Sequence, residues 1–370
     1  MDSYSLRTLF DVTNNQKEIT IKGFEPYRIE TTFLREQGRQ NPIPLITYGT
    51  PIIKLENVTV LGGGRYPFDE SRNLWTGGLY YHQDRIESNS EADAKQLCDE
   101  AVFDLVNSSK TKEKVYIDRG ILIGSRPNFG HFLFEFLPKI YLANKYYPQG
   151  YNFLLPDNTP PRFLNYLSLL SIDESRISLY STNQVIQAEE LVIPGVAAHR
   201  HPLNKSPCVD RTLISSMVSQ IKTNTSIING NVDSNEKDLT IYISRKDERW
   251  RRIINEQQII NHIQRSRRLK VLNPSLLSPI QQVSLFDRLT LLYSPLGGAS
   301  ASVMFCKPRA EVVEFSTPKI SGDFGHKIWS IIFDLKFTRI DGRYTEECKN
   351  DGQLVIDRDF FLDIELIPNF

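Results

Sequence analysis

From Val115 to Ile340 the chain alternates between short apolar strands and amphipathic helices, and this alternation constrains its fold more than any other feature. GILIGS from Gly120 reads as a buried strand, HFLFEFLPKIYLANKYY from His131 as a helix and YNFLLP from Tyr151 as a strand again. PRFLNYLSLL from Pro161 reads as a helix, and ISLYS from Ile177 and ELVIPG from Glu190 as strands. A second set follows, with strands LTIYISR from Leu239, LKVLN from Leu269, LTLLYS from Leu289, AEVVEFS from Ala310 and KFTRI from Lys336. Between them lie the helical patterns INEQQIINHIQR from Ile254, SPIQQVSLFDR from Ser278, ASASVMFC from Ala299 and GHKIWSIIFDL from Gly325. Strands that alternate with helices predict parallel sheets covered on both faces.

Up to about residue 116, ITIKGF, PIIKLENVTVLGGG and GLYYH carry β-branched and aromatic residues between turn formers, which predicts short strands. The triple glycine Gly62 to Gly64 is not followed by Gly-Lys-Ser/Thr, so it reads as a tight turn. The expected organisation is an N-terminal, acceptor-binding lobe over residues 1–205, β-rich to about 116. A connecting helix and linker, VDRTLISSMVSQIK then TNTSIINGNVDSNEKD, occupy 206–238. A C-terminal nucleotide-binding lobe is expected over 239–345, and the acidic, aromatic tail 346–370 is expected to pack back on the first lobe. Two such α/β units facing each other predict a cleft, because ligands sit beyond the carboxyl ends of open α/β strands.

Lysine plus arginine equals aspartate plus glutamate at 44 each, which argues against a dedicated nucleic-acid binder. The four cysteines form no CxxC pair and read as buried free thiols. His199 and His201 have no further ligand types clustered around them in sequence and read as a loop before Pro202. The first residues do not read as a signal peptide, and no apolar run reaches about 18 residues. The expected location is cytoplasmic, with peripheral contact at the inner face of the membrane left open.

Three segments carry the chemistry. In NFGHFLFEFLPK, Asn128 to Lys139, His131 and Glu135 are four apart and share one helix face, which suits proton abstraction from a hydroxyl. An ordinary amphipathic helix is the competing reading. Pro138 leaves the Phe134 carbonyl without its helical donor, so the helix is expected to kink or to form two pieces. In YISRKDERWRRIINE, Tyr242 to Glu256, arginines follow the end of a strand and precede a helix, an arrangement suited to phosphate oxygens. A solvated charged loop competes with that reading. In SPLGGASASVMFCKPRAEVVEF, Ser294 to Phe315, Gly297 and Gly298 let a ligand approach the backbone at a helix start, and a plain tight turn competes with that reading. Glu314, at the end of the next strand, suits a ribose hydroxyl.

In order and spacing these segments resemble glycosyltransferase family 61, over roughly Leu55 to Ile340. Asn128, His131, Phe132, Glu135, Leu137, Pro138 and Lys139 match its first motif. Tyr242, Ser244, Arg245, Arg251, Arg252, Asn255 and Glu256 match the second, and Pro295, Gly297, Phe305, Pro308, Val312 and Glu314 the third. The third motif departs from the pattern. Leu296 stands for histidine, Gly298 and Ala299 invert the usual order, Ser302 stands for asparagine and Arg309 for glycine.

The resemblance implies an α/β, GT-B-type fold of two Rossmann-like lobes and inverting transfer from a nucleotide-sugar, a UDP-sugar first among donors. It implies no cofactor and no metal. The acceptor would be a glycan or lipid-linked glycan in capsule or lipopolysaccharide biosynthesis, with contact to a polysaccharide-assembly complex left open. Glu135, or His131 oriented by Glu135, would be the base. Arg245, Arg251, Arg252, Asn255, Gly297, Gly298, Ser300 and Glu314 would bind the donor, with Arg245 and Arg252 on the diphosphate. The Asp357–Asp359 pair reads as a chance pair on a solvated segment. The competing functions are transfer from a CMP-activated acid sugar and a non-catalytic nucleotide-sugar-binding subunit.

Overall fold

A computed structural model describes residues 4–6, 19–22, 29–34, 43–61, 66–71, 73–75, 112–124, 127–200, 207–229, 239–318, 326–346, 348 and 357–368. The triple glycine, GLYYH, Cys98 and His201 lie outside the described residues. The chain divides into two compact units, Met1–Met217 and Val218–Phe370.

The first unit is built on strands β1 (Ile52–Leu61), β2 (Glu113–Leu122), β3 (Asn152–Pro156), β4 (Ile177–Tyr180) and β5 (Gln184–Pro194). They lie in the order β1-β5-β2-β3-β4, continued beyond β1 by shorter N-terminal strands. β2 to β5 are mutually parallel, and β1 pairs antiparallel with β5. The carboxyl ends of the central parallel strands are apolar without alternation, as a sheet covered on both faces requires: Ile121, Leu122, Ile123, Phe153, Leu154 and Leu191 are fully buried. A second sheet joins Ala198–Arg200, Pro207–Val209, Ile43–Tyr48 and Ile29–Leu34. His199 is therefore in a strand rather than a loop.

The segment after β2 is built in pieces, as Pro138 predicts. Phe129–His131 form one turn, Phe132–Phe136 a π-turn, and helix α1 runs over Leu137–Tyr146 with Pro138 in its first turn. Pro138 has no N–H for the Phe134 carbonyl. The Leu137 N–H instead reaches back five residues to Phe132 O, which widens the turn. PRFLNYLSLL is likewise not one helix: Pro161–Leu164 form a single turn, and Ser168–Leu170 a 3₁₀ turn ended by Ser171 in the left-handed region.

Helix α2 spans Arg211–Asn229, so Thr223 to Asn229, expected as linker, is helical. Their polar composition is misleading because Ile221 and Thr225, four apart, are both buried on one face.

The second unit holds strands β6 (Leu239–Ile243), β7 (Leu269–Leu272), β8 (Leu289–Pro295), β9 (Glu311–Ser316) and β10 (Lys336–Asp341). All pair in parallel, in the order β7-β6-β8-β9-β10. Helices α3 (Glu256–Gln264), α4 (Pro279–Arg288) and α5 (His326–Ile332), with a 3₁₀ helix over Gly298–Phe305, make the crossovers. Ser278 and Gln281 close α4 with reciprocal capping bonds.

The described part of the tail belongs to the second unit: Phe360, Leu362 and Ile367 join Tyr242, Ile253, Ile259 and Phe315 in that unit's core. Burying three apolar side chains, each worth about 1.5–3 kcal/mol, is reason enough for this docking. Among the described residues, no helix is long and apolar enough to cross a membrane.

Candidate active site

In the first unit the site is one short helical segment. Asn128 caps it, its side chain accepting from the Gly130 and His131 N–H groups at 3.0 and 3.3 Å. Four residues on, Glu135 Oε1 lies 2.5 Å from His131 Nδ1. Glu135 is buried at 5% exposure, whereas the His131 side chain is 29% exposed. An ionised carboxylate only accepts, so Nδ1 carries the proton and the ring's basic lone pair is on Nε2. Phe132, fully buried, stacks on Phe163 at 4.8 Å and fixes the turn that carries the pair. Lys139 is fully buried and donates to Ile123 O at 3.1 Å, the end of β2. Burial pulls its pKa down to about 7, against the opposing charge of Glu135.

In the second unit the site follows from strand order. Chain order and sheet order part between β6 and β8, whose connections run to opposite sides of the pair. Such a switch point opens a crevice at the carboxyl ends of the two strands. The loop after β6 carries Arg245, and the loop after β8 carries Gly297. A Cβ on Gly297 would stand 2.0 Å from Arg245 Nη1, so glycine is required for the arginine to lie across the backbone there. Arg245 is held from behind: its Nε and Nη2 donate to Trp250 O at 3.3 and 2.9 Å, and its own N–H donates to Glu256 Oε1 at 3.2 Å. Glu256 Oε2 accepts from Ser244 Oγ at 2.8 Å. Burial, and then the charge of Arg251, lower the Arg245 pKa to about 10, so it stays a cation at neutral pH.

Arg251 is in the left-handed region at φ 57. Burial lowers its pKa, and the carboxylates of Asp357 and Glu314 oppose that shift. The structure thus brings Arg245, Arg251, Gly297 and Glu314 together at the carboxyl ends of β6, β8 and β9.

Other predicted donor residues have different partners. Arg252 donates through Nε and Nη2 to Asp359 Oδ2 at 2.9 and 2.6 Å. Asn255 exchanges two hydrogen bonds with the Leu362 backbone. Ser300 Oγ closes the turn, donating to Gly297 O at 2.6 Å and accepting from the Gly297 N–H at 3.2 Å. Gly298 opens the 3₁₀ helix. The Asp357–Asp359 pair is not a solvated accident: Asp357 lies 3.5 Å from Arg251 Nε, and Asp359 is buried against Arg252.

Sequence reading left Glu256 without a role, although it stands in the second motif. It left the tail acids unconnected as well, because only folding brings them to the arginines. The departure at Arg309 is conformational: its φ of 65 is the left-handed geometry that favours glycine. Ser302, fully buried, accepts from Gln282 of α4.

The family model described as Glycosyltransferase 61 matches residues 129–313, half of the chain, and its span takes in His131 and Glu135 of the first unit and Arg245, Arg251 and Gly297 of the second. A comparison with curated proteins finds no match. The chain belongs to glycosyltransferase family 61.

Proposed function

We propose that this protein is an inverting, GT-B-type glycosyltransferase that moves a sugar from a nucleotide diphosphate, a UDP-sugar first among candidates, to a hydroxyl of a glycan acceptor. The observation that carries this reading is the pair of arginines, Arg245 buried and Arg251 half-buried, at the switch point of a parallel sheet. The charge of Arg251 lowers the proton affinity of Arg245; two neighbouring guanidinium groups suit an anion of at least two charges, and the planar fork matches phosphate oxygens. Arg251, rather than Arg252, partners Arg245 in this role, because Arg252 is engaged by Asp359. In this reading Glu314, near the end of β9, accepts from a ribose hydroxyl. With arginine meeting the charge on the departing diphosphate, transfer proceeds without a divalent cation and survives EDTA.

His131 takes the acceptor proton at Nε2, and Glu135, buried beside Nδ1, orients the ring and stabilises the imidazolium. The acceptor oxygen then attacks the anomeric carbon in one displacement, and the C–O bond to the diphosphate breaks as the new one forms. The capsule or lipopolysaccharide setting and an inner-membrane location are part of the same proposal. The test is donor turnover with UDP-, GDP- and CMP-sugars, with and without glycan acceptors. His131→Ala is expected to lower kcat by about 10²- to 10⁴-fold while nucleotide binding persists. Arg245→Ala is expected to abolish nucleotide binding. Nucleotide-sugar binding with neither hydrolysis nor transfer would overturn the reading in favour of a non-catalytic subunit, and turnover of CMP-sugars alone would move the donor to the monophosphate class.

A further inference from the structure

The arginine loop is built against the C-terminal tail. The Arg251 N–H donates to Asp357 O at 3.1 Å, the Arg252 N–H to Asp359 Oδ1 at 2.9 Å, and the Ile254 N–H to Phe360 O at 2.9 Å. In return the Phe360 N–H donates to Arg252 O at 3.0 Å, and Ile253 bridges Phe360 in parallel. Asn255 closes the ladder on Leu362. The tail thus runs alongside residues 251–255, joined by one parallel bridge and the flanking hydrogen bonds, and it lies outside the residues 129–313 that the family model matches.

Arg251 shows why that pairing matters. A non-glycine residue at φ 57 persists only where its surroundings over-determine it. Here the peptides on both sides of Arg251 are fixed by the tail, one by Asp357 O and the next by Asp359 Oδ1. The resulting turn sends the Arg251 guanidinium into the charge field of Arg245 and Glu314, while Arg252, one residue on, points to Asp359. Asp357 Oδ1 stands 3.5 Å from Arg251 Nε, and that Nε makes no hydrogen bond. Asp357 is therefore a charge neighbour of Arg251 rather than a hydrogen-bond acceptor for its Nε. Asp359, by contrast, engages Arg252 through three bonds.

We propose that the tail segment Asp357–Leu362 is a positioning element of the donor site, with Asp359 as the residue that sets Arg251 toward the phosphates. This rests on the reading of Arg245 and Arg251 as the diphosphate ligands. The test is calorimetric titration with UDP, GDP, CDP and inorganic pyrophosphate, paired with donor kinetics and urea unfolding. Asp359→Asn keeps the side-chain shape but turns an amide toward the Arg252 guanidinium. It is expected to weaken nucleotide affinity at least tenfold and to raise the donor KM, with kcat within about threefold. Arg251→Gly accepts the left-handed turn without strain, so its urea midpoint is expected to hold or rise while nucleotide affinity falls at least tenfold. Wild-type affinity and KM in Asp359→Asn, or wild-type affinity in Arg251→Gly, would overturn the proposal. Arg245→Ala separates the two levels. If it leaves nucleotide binding intact, the donor reading itself has failed; if it abolishes binding while Asp359→Asn does not weaken it, only the tail's role has failed.

Discussion

The two candidate groups of residues, one in each unit, are built by different rules. The His131–Glu135 arm is local. Its cap, its pair and its buried lysine fall within Asn128 to Lys139, and helical spacing alone brings His131 to Glu135. The arginine arm is assembled from the loops after β6 and β8, the end of β9 and the tail, and its anchoring bonds join residues 107 positions apart. A local site inherits its geometry from one element, whereas an assembled one depends on strand order and on each segment that docks. The local arm should therefore respond to chemistry at single residues, and the assembled arm to small steric changes at its joints.

The sharpest way to break this contrast is Gly297→Ala. The added methyl would fall 2.0 Å from Arg245 Nη1, so the guanidinium must move. Nucleotide affinity is expected to fall at least about tenfold, some 1.4 kcal/mol, while the His131 arm keeps its geometry. Unchanged affinity by calorimetry would mean that the two loops do not share a ligand.

The local arm offers a pH test. Folded Lys139 releases its proton near pH 7, whereas the unfolded chain holds it to about 10.5. Between those values the unfolded state binds more protons, so stability rises with pH, at up to about 1.4 kcal/mol per unit. Lys139→Met should flatten that rise in urea unfolding from pH 7 to 10. A slope identical to wild type would show that Lys139 titrates normally.

The smallest expected effect is at Arg309. Its φ of 65 is strained for arginine, so Arg309→Gly is expected to raise stability by up to about 1 kcal/mol. A loss of stability would show that the side chain contributes more than the backbone strain costs.

Much of this molecule was legible before folding. Apolar runs marked the carboxyl end of β2 and the strands β3, β6, β8 and β9, because a strand segment buried on both faces must be apolar. The break at Pro138 followed from one missing N–H. The composition of Thr223 to Asn229 misled, because burial of one face outweighs weak helix propensity. The tail's place was not legible either, since acidic and aromatic residues dock equally well on any complementary surface.

The sequence by itself determined the alternating elements, the His131–Glu135 pair and the two motifs that bring arginine and glycine to strand ends, because each depends on spacing along one element. Only the tertiary structure decided that β6 lies between β7 and β8, which makes the crevice where Arg245 crosses Gly297. It also decided that Arg251 faces Glu314 while Arg252 faces Asp359. Those outcomes rest on which distant backbone groups pair and which apolar faces meet, and local periodicity carries no record of either.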